Sequence, residues 1–167
     1  MIDNKLNRIC AAEDEKWMNE ALNEAKKALE NNDVPIGAVI VFEDRVIGRG
    51  FNRVEKDNNS TAHAELIAIN EAIKEMNYKH LLDCTLYTTL EPCPMCAGAI
   101  VLSRIPMIVI GTDDPKAGAA GSVMNILENE RLNHKCNLKR GILKEECSAL
   151  LKEFFKELRR TPKNLYK

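Results

Sequence analysis

The chain has 167 residues, 45% of them apolar and 29% charged, which suits one soluble domain with a hydrophobic core of its own. Its 24 Lys and Arg nearly cancel its 25 Asp and Glu, leaving a formal charge of -1, so any affinity for phosphates must come from a local patch and not from the field of the whole molecule. The polar start Met1-Ile2-Asp3-Asn4-Lys5-Leu6 lacks an apolar signal region and no apolar run approaches the ~20 residues that span a bilayer; the six cysteines are therefore expected reduced in the cytoplasm, with no membrane association.

From Asp14 to Asn32, the apolar Trp17, Ala21, Leu22, Ala25, Ala28 and Leu29 recur at helical spacing, predicting a first helix that Asn31-Asn32-Asp33 ends. Pro35 to Phe42, rich in Val and Ile, turns at Glu43-Asp44 into Arg45-Val46-Ile47-Gly48-Arg49-Gly50, which reads as a hairpin of two strands. Asn52 to Thr61 is polar and reads as a loop that delivers the chain to His63. Helical periodicity returns from Ala64 to Met76 through Leu66, Ile67, Ile69, Ala72 and Ile73. Cys84 to Thr89 predicts a third strand, Met95 to Ser103 a helix opened by the Pro92 segment, and Met107 to Gly111 a fourth strand behind Pro106. Asp113 to Ser122, rich in Gly, Ala and Asp, reads as a functional loop. Cys136 to Arg140 is a weaker fifth strand, and Gly141 leads into a terminal helix from Leu143 to Arg160. Strands alternating with helices specify an α/β layer protein, and the hairpin makes its sheet mixed. No repeat or linker divides the chain, so residues 1–167 are expected to form a single domain.

Two short motifs carry the chemistry. His63-Ala64-Glu65 offers an imidazole and a carboxylate, and Pro92-Cys93-Pro94-Met95-Cys96 offers two thiols on one face of a helical turn. Zinc held by only three protein groups keeps a fourth position for water, which marks a catalytic and not a closed structural site. The pKa of such a water falls from about 15.7 to roughly 7. Glu65, beside a ligand but not one itself, is placed to carry the protons. Both motifs follow a loop and open a predicted helix, where unpaired N–H groups and a partial positive charge favour thiolates and a developing oxyanion. Pro92 fits directly ahead of Cys93 because its missing N–H costs little there. Alone, the C-x-x-C would also suit a thioredoxin-like redox pair, part of a structural zinc site or two buried thiols. Joined to His-x-Glu in this order, it specifies a catalytic zinc centre of His63, Cys93 and Cys96. His80, His134, Cys84 and Cys136 extend neither motif at short spacing. Cys10, Cys84, Cys136 and Cys147 read as apolar fillers or incidental surface thiols. His80 reads as a loop residue, and His134 sits in a loop that can border the site.

The segments Val34-Pro35-Ile36-Gly37-Ala38-Val39, Asn52-Arg53, Thr61-Ala62-His63-Ala64-Glu65 and Thr89-Leu90-Glu91-Pro92-Cys93-Pro94-Met95-Cys96-Ala97-Gly98-Ala99 go further. With Lys116-Ala117-Gly118-Ala119-Ala120-Gly121-Ser122, Asn133-His134 and Glu145-Glu146-Cys147-Ser148-Ala149-Leu150-Leu151, they make the chain resemble the bacterial tRNA-specific adenosine deaminases of the cytidine deaminase-like superfamily. The similarity runs from about Trp17 to Arg160. The paired zinc motifs are common to the zinc nucleobase deaminases; the Lys116 to Ser122 loop and the terminal helix carry the likeness to the tRNA branch.

This resemblance implies a three-layer α/β/α cytidine deaminase-like fold around a central mixed sheet of about five strands, with one Zn2+ per subunit. It implies hydrolytic deamination of adenosine to inosine at the wobble position of tRNA anticodons. Zinc-bound hydroxide would attack adenine C6, while Glu65 protonates the ring and then the departing amine. Asn52 matches a residue that hydrogen-bonds the target base. Asp113, Asp114, Lys116, Asn133, Phe155, Leu158 and Arg159 resemble positions lining or bordering a groove for the anticodon loop, where cations and stacking surfaces serve single-stranded RNA. One of Phe154 and Phe155 is expected to pack in the core only. Lys152, Lys156 and Arg159-Arg160-Thr161-Pro162-Lys163 are expected to form a local basic patch. A homodimer is implied as well. A deaminase of a free base or nucleotide, such as guanine or deoxycytidylate, would share the zinc chemistry, but the basic, aromatic terminal helix and the Lys116 to Ser122 loop lean against a closed small-molecule pocket. Glu65 speaks against a zinc-stabilised RNA-binding module without catalysis, since a structural site has no use for it.

Overall fold

The computed structural model describes residues 2–160, with side chains from residue 12 onward, so the side chain of Cys10 and the basic end Thr161-Pro162-Lys163 lie outside the described residues. In chain order the elements are α1 (Ile2–Leu29), β1 (Gly37–Phe42), β2 (Arg45–Phe51), α2 (Ala64–Met76), β3 (Thr85–Leu90), α3 (Pro94–Leu102), β4 (Met107–Thr112), β5 (Asn137–Arg140) and α4 (Lys144–Arg160). Helix α1 starts well ahead of Asp14, because no Gly or Pro interrupts Ile2 to Leu29 and the helix continues beyond its amphipathic stretch. It ends where Asn32 takes a left-handed backbone (φ 57°) and the Asp33 N–H bonds the Ala28 carbonyl at 3.1 Å. Glu43 and Asp44 are both left-handed (φ 46° and 56°), the geometry that lets a two-residue loop follow the twist of its hairpin.

The five strands are ordered β2-β1-β3-β4-β5. β1 runs antiparallel to β2 and β3, while β3, β4 and β5 run parallel. Alternation along the strands divides the core in two. Ala38, Ile40, Leu86, Ile108 and Ile110 face Ala68 and Ile69 of α2 and Ala97 and Ile100 of α3. Val39, Val41, Tyr87 and Val109 face Trp17, Met18 and Ala21 of α1 and Cys147 of α4. Helices on both faces of a mixed sheet give the three-layer α/β/α arrangement, as expected from the sequence.

Two helical faces differ from the periodicity. Leu29 is 36% exposed at the end of α1 and does not join the core. On α2 the buried stripe is Ala64, Ala68, Ile69 and Ala72, whereas Leu66, Ile67 and Ile73 are only half-buried. The reason is the closeness of β2. A Cβ on Gly50 would lie 2.0 Å from the Ala64 carbonyl oxygen, and one on Gly48 would lie 2.2 Å from that of Ala68. Helix α2 therefore rests on bare backbone, and only small side chains fit between. We expect Gly50→Ala to destabilise the fold by about 1–3 kcal/mol through overpacking, seen as a lower urea midpoint at unchanged slope.

Candidate metal and catalytic site

His63 is the N-cap of α2 and Cys93 the N-cap of α3. Both have extended backbone (φ/ψ −79°/149° and −72°/171°), and neither side chain caps its own helix. A Ser, Thr, Asp or Asn at such a position would stabilise the helix by about 1 kcal/mol. These two side chains instead turn toward each other. Pro94, not Pro92, takes the first helical position of α3, where a missing N–H is harmless. Pro92 lies ahead of the cap, and its carbonyl accepts the Ala119 N–H at 2.8 Å.

The His63 Nδ1 lies 3.5 Å from Cys93 Sγ and 3.6 Å from Cys96 Sγ. Zinc bonds of about 2.0–2.1 Å to nitrogen and about 2.3 Å to sulfur, at a tetrahedral angle, separate N and S by about 3.6 Å. The donor set and its spacing fit zinc. All three ligand atoms lie within 4.8 Å of one another, and no other His, Cys, Asp or Glu group of that kind occurs among the described residues. His80 packs edge-on against Tyr78. The His134 Nε2 lies 2.8 Å from the Ile105 carbonyl oxygen, a structural tie. Cys84, Cys136 and Cys147 are buried thiols away from this trio.

Protons are unevenly shared within the trio. The hydrogen bond from Cys96, followed by that from His63, pulls the Cys93 thiol down to about 4. The same bond with Cys93, and then burial, push the Cys96 thiol up. Hydrogen bonding to Cys93 raises His63. A cation would draw both sulfurs to the thiolate form. Glu65, on the first turn of α2, is 4% exposed with its carboxyl against the Cys96 thiol. Burial pushes it up to about 6, so it can hold or release a proton close to neutral pH.

A cavity of about 570 Å³ opens over the ends of β3 and β4 at Leu90 and Thr112, a few residues from Cys93. Of the residues singled out from the sequence, Asp113, Asp114, Lys116, Phe155 and Arg159 line it, together with Lys152. Lys116, Lys152 and Arg159 have no acidic partner among the described residues. Asp113 is neutralised by Arg140 at 2.9 Å and Lys144 at 3.4 Å. The Asp114 carboxylate accepts the N–H groups of Lys116 and Ala117 at 2.9 and 3.3 Å. Two candidates lie elsewhere. Leu158 lines a separate apolar groove with Leu29, Leu150 and the half-buried Phe154. Asn133 is exposed, and its carbonyl accepts Arg104 Nη1 at 3.2 Å.

Asn52 is buried, and its side-chain N–H donates to Asp33 Oδ1 at 3.3 Å. Asp33, fully buried, also accepts the N–H groups of Glu55 and Lys56 at 2.8 and 3.0 Å. The sequence reading takes Asp33 only for a helix stop, and it gives no role to Glu91, whose side chain is wholly buried. Position was the one signal available: each is an acidic residue at the margin of a core element.

A family model described as MafB19-like deaminase matches residues 12–159. The tRNA-specific adenosine deaminase of Bacillus subtilis (strain 168) is 50% identical over 151 residues, covering 90% of this chain and 94% of that one. The chain belongs to the bacterial tRNA-specific adenosine deaminase family. A structure from work on tRNA:A34 deaminases at the wobble position superposes on this family member with a TM-score of 0.76 and 38% identity, covering 81% of this chain and 99% of the other. A guanine deaminase from Nitrosomonas europaea gives a TM-score of 0.72 at 25% identity, covering 84% and 83%. The layer architecture thus serves deaminases of different substrates, and the higher identity lies on the tRNA side. Purified Cys93→Ala is expected to lose its zinc, measured by atomic emission, while Cys84→Ala of the same deaminase keeps it.

Proposed function

We propose that this protein hydrolyses adenosine to inosine at the wobble position of a tRNA anticodon, as one cytoplasmic domain holding Zn2+ on His63, Cys93 and Cys96. The observation that carries the reading is a buried carboxyl, Glu65, set against a zinc-fitting trio in a chain half identical to a tRNA-specific adenosine deaminase. Zinc, when bound, acidifies water and so supplies a nucleophile at neutral pH. Glu65 moves the protons. It takes one from the attacking water and gives it to the adenine ring as C6 becomes tetrahedral, then takes the second from the new C6 hydroxyl and gives it to the amine, which leaves as ammonia as the C6 carbonyl forms. Its burial keeps bulk solvent from competing for those protons. Asn52 reads the target base with the amide atoms that Asp33 leaves free.

The open cavity suits a polyanion. Phe155, 40% exposed, offers a stacking surface, worth about 1–3 kcal/mol for one base. Lys116, Lys152 and Arg159 supply phosphate contacts, which a chain of near-zero charge must concentrate in one place. A closed pocket for guanine or a nucleotide would have little use for three cations that have no acidic partner among the described residues. Pairing of two copies is supported by Leu102, 78% exposed on α3, and by the exposed Val123 and Met124, large apolar side chains that a partner would cover. No helix among the described residues is long and apolar enough to cross a membrane.

The zinc-loaded protein is expected to convert an anticodon stem-loop bearing wobble adenosine and to leave free adenosine, guanine and deoxycytidylate unchanged. Turnover of a free base or nucleotide with the stem-loop untouched would overturn the substrate. Glu65→Ala is expected to keep zinc and stem-loop binding while inosine formation falls by about 10²–10⁴-fold; full activity would remove Glu65 from the proton path.

A further inference from the structure

Glu91 lies just past β3 and close ahead of Cys93, and the deamination chemistry makes no use of it. Its side chain has no exposed surface. A carboxylate at that depth needs donors on both oxygens. All four of them come from a single loop, residues 114–122. Oε2 accepts the Asp114 N–H at 3.0 Å and the Ser122 hydroxyl. Oε1 accepts the N–H groups of Ala120 and Ser122 at 2.9 and 3.1 Å. The Arg140 guanidinium stands 3.8 Å away and also donates to the Ala120 carbonyl. Gly118 packs so tightly on this carboxylate that a Cβ there would fall 2.4 Å from Glu91 Cδ.

That loop supplies Asp114 and Lys116 to the cavity wall, and the Pro92 carbonyl takes its Ala119 N–H. We infer that Glu91 is a positioning residue for the substrate: its buried carboxylate fixes the groove loop to the segment presenting Cys93, and so sets the offset between RNA-binding wall and reaction centre. This inference rests on the tRNA reading of the cavity. A carboxylate suits the task because it only accepts, and four donors can converge on it, with a guanidinium nearby, without mutual clash. Glutamine at this place would turn an N–H₂ toward N–H groups.

The test compares zinc-loaded, full-length Glu91→Gln and Ser122→Ala with the unaltered protein. Glu91→Gln is expected to keep zinc and to raise KM for the anticodon stem-loop about tenfold with kcat within about twofold. Ser122→Ala, at an exposed residue, should shift KM the same way by less. The double variant should show less than the product of the two effects, since both act through one contact. Hydrogen exchange should quicken at the amides of Asp114, Ala120 and Ser122 in Glu91→Gln and stay unchanged in α2. Ser122→Ala still decides the matter if Glu91→Gln does not fold. Unchanged KM in the variants, or a fall in kcat at constant KM with loss of zinc, overturns the inference. A wild-type protein inactive on the stem-loop overturns the substrate reading instead, and exchange at those three amides then decides whether Glu91 holds the loop.

Discussion

Everything at this site depends on bringing three donor atoms from two separate helix starts to within 4.8 Å of one another. A contact that close leaves no slack in how α2 and α3 meet the sheet. On the α2 side, the slack is removed by Gly48 and Gly50, which let the first turns settle on β2 with backbone against backbone. On the α3 side, it is removed by the parallel pairing of β3 and β4, which α3 must bridge, and by Ile100 locked in the core beneath it. His63 and Cys93 then occupy cap positions whose usual stabilising hydrogen bonds have been given up. Local helix stability is exchanged for donors that point at a common centre.

Glu65 and Glu91 are both buried, and their surroundings drive them in opposite directions. Burial dominates at Glu65 and lifts its carboxyl to about 6, into the range where it trades protons. Burial would lift Glu91 too, but the Ser122 hydroxyl and the amides of Asp114, Ser122 and Ala120 outweigh it and hold the group below its usual range. One carboxyl is thereby free to change state and the other is committed to a single state. The number of donors facing each one separates chemistry from architecture.

The sequence spelled out the chemistry more fully than the surroundings that support it. His63, Glu65, Cys93 and Cys96 lie within two short motifs, so the spacing that identifies them is also the spacing that brings each pair together on one helical turn. Strand and helix positions were legible to within a residue or two except at the start of α1, because the apolar alternation was strong. What stayed hidden depends on contacts between distant segments. Nothing local tells that Leu66 and Ile67 stand half-exposed because β2 crowds α2, or that Asp33 ends a helix and also holds Asn52. Phe155 and Leu158, neighbours on one helix, face different cavities, a distinction that requires knowing which part of α1 lies beside α4. Glu91 is the clearest instance: its partners begin more than twenty residues away.

The two margins of the sheet have a bearing on assembly. β5 is only four residues long, Asn137–Arg140, and Lys139 and Arg140 place charge along it. At the opposite margin, the Arg49 N–H of β2 is already bonded to the Glu71 carboxylate of α2. One border is short and charged and the other has a main-chain donor already taken, so each makes a poor template for a foreign strand. Copies of this chain that crowd together therefore meet two poor borders for zipping their sheets end to end.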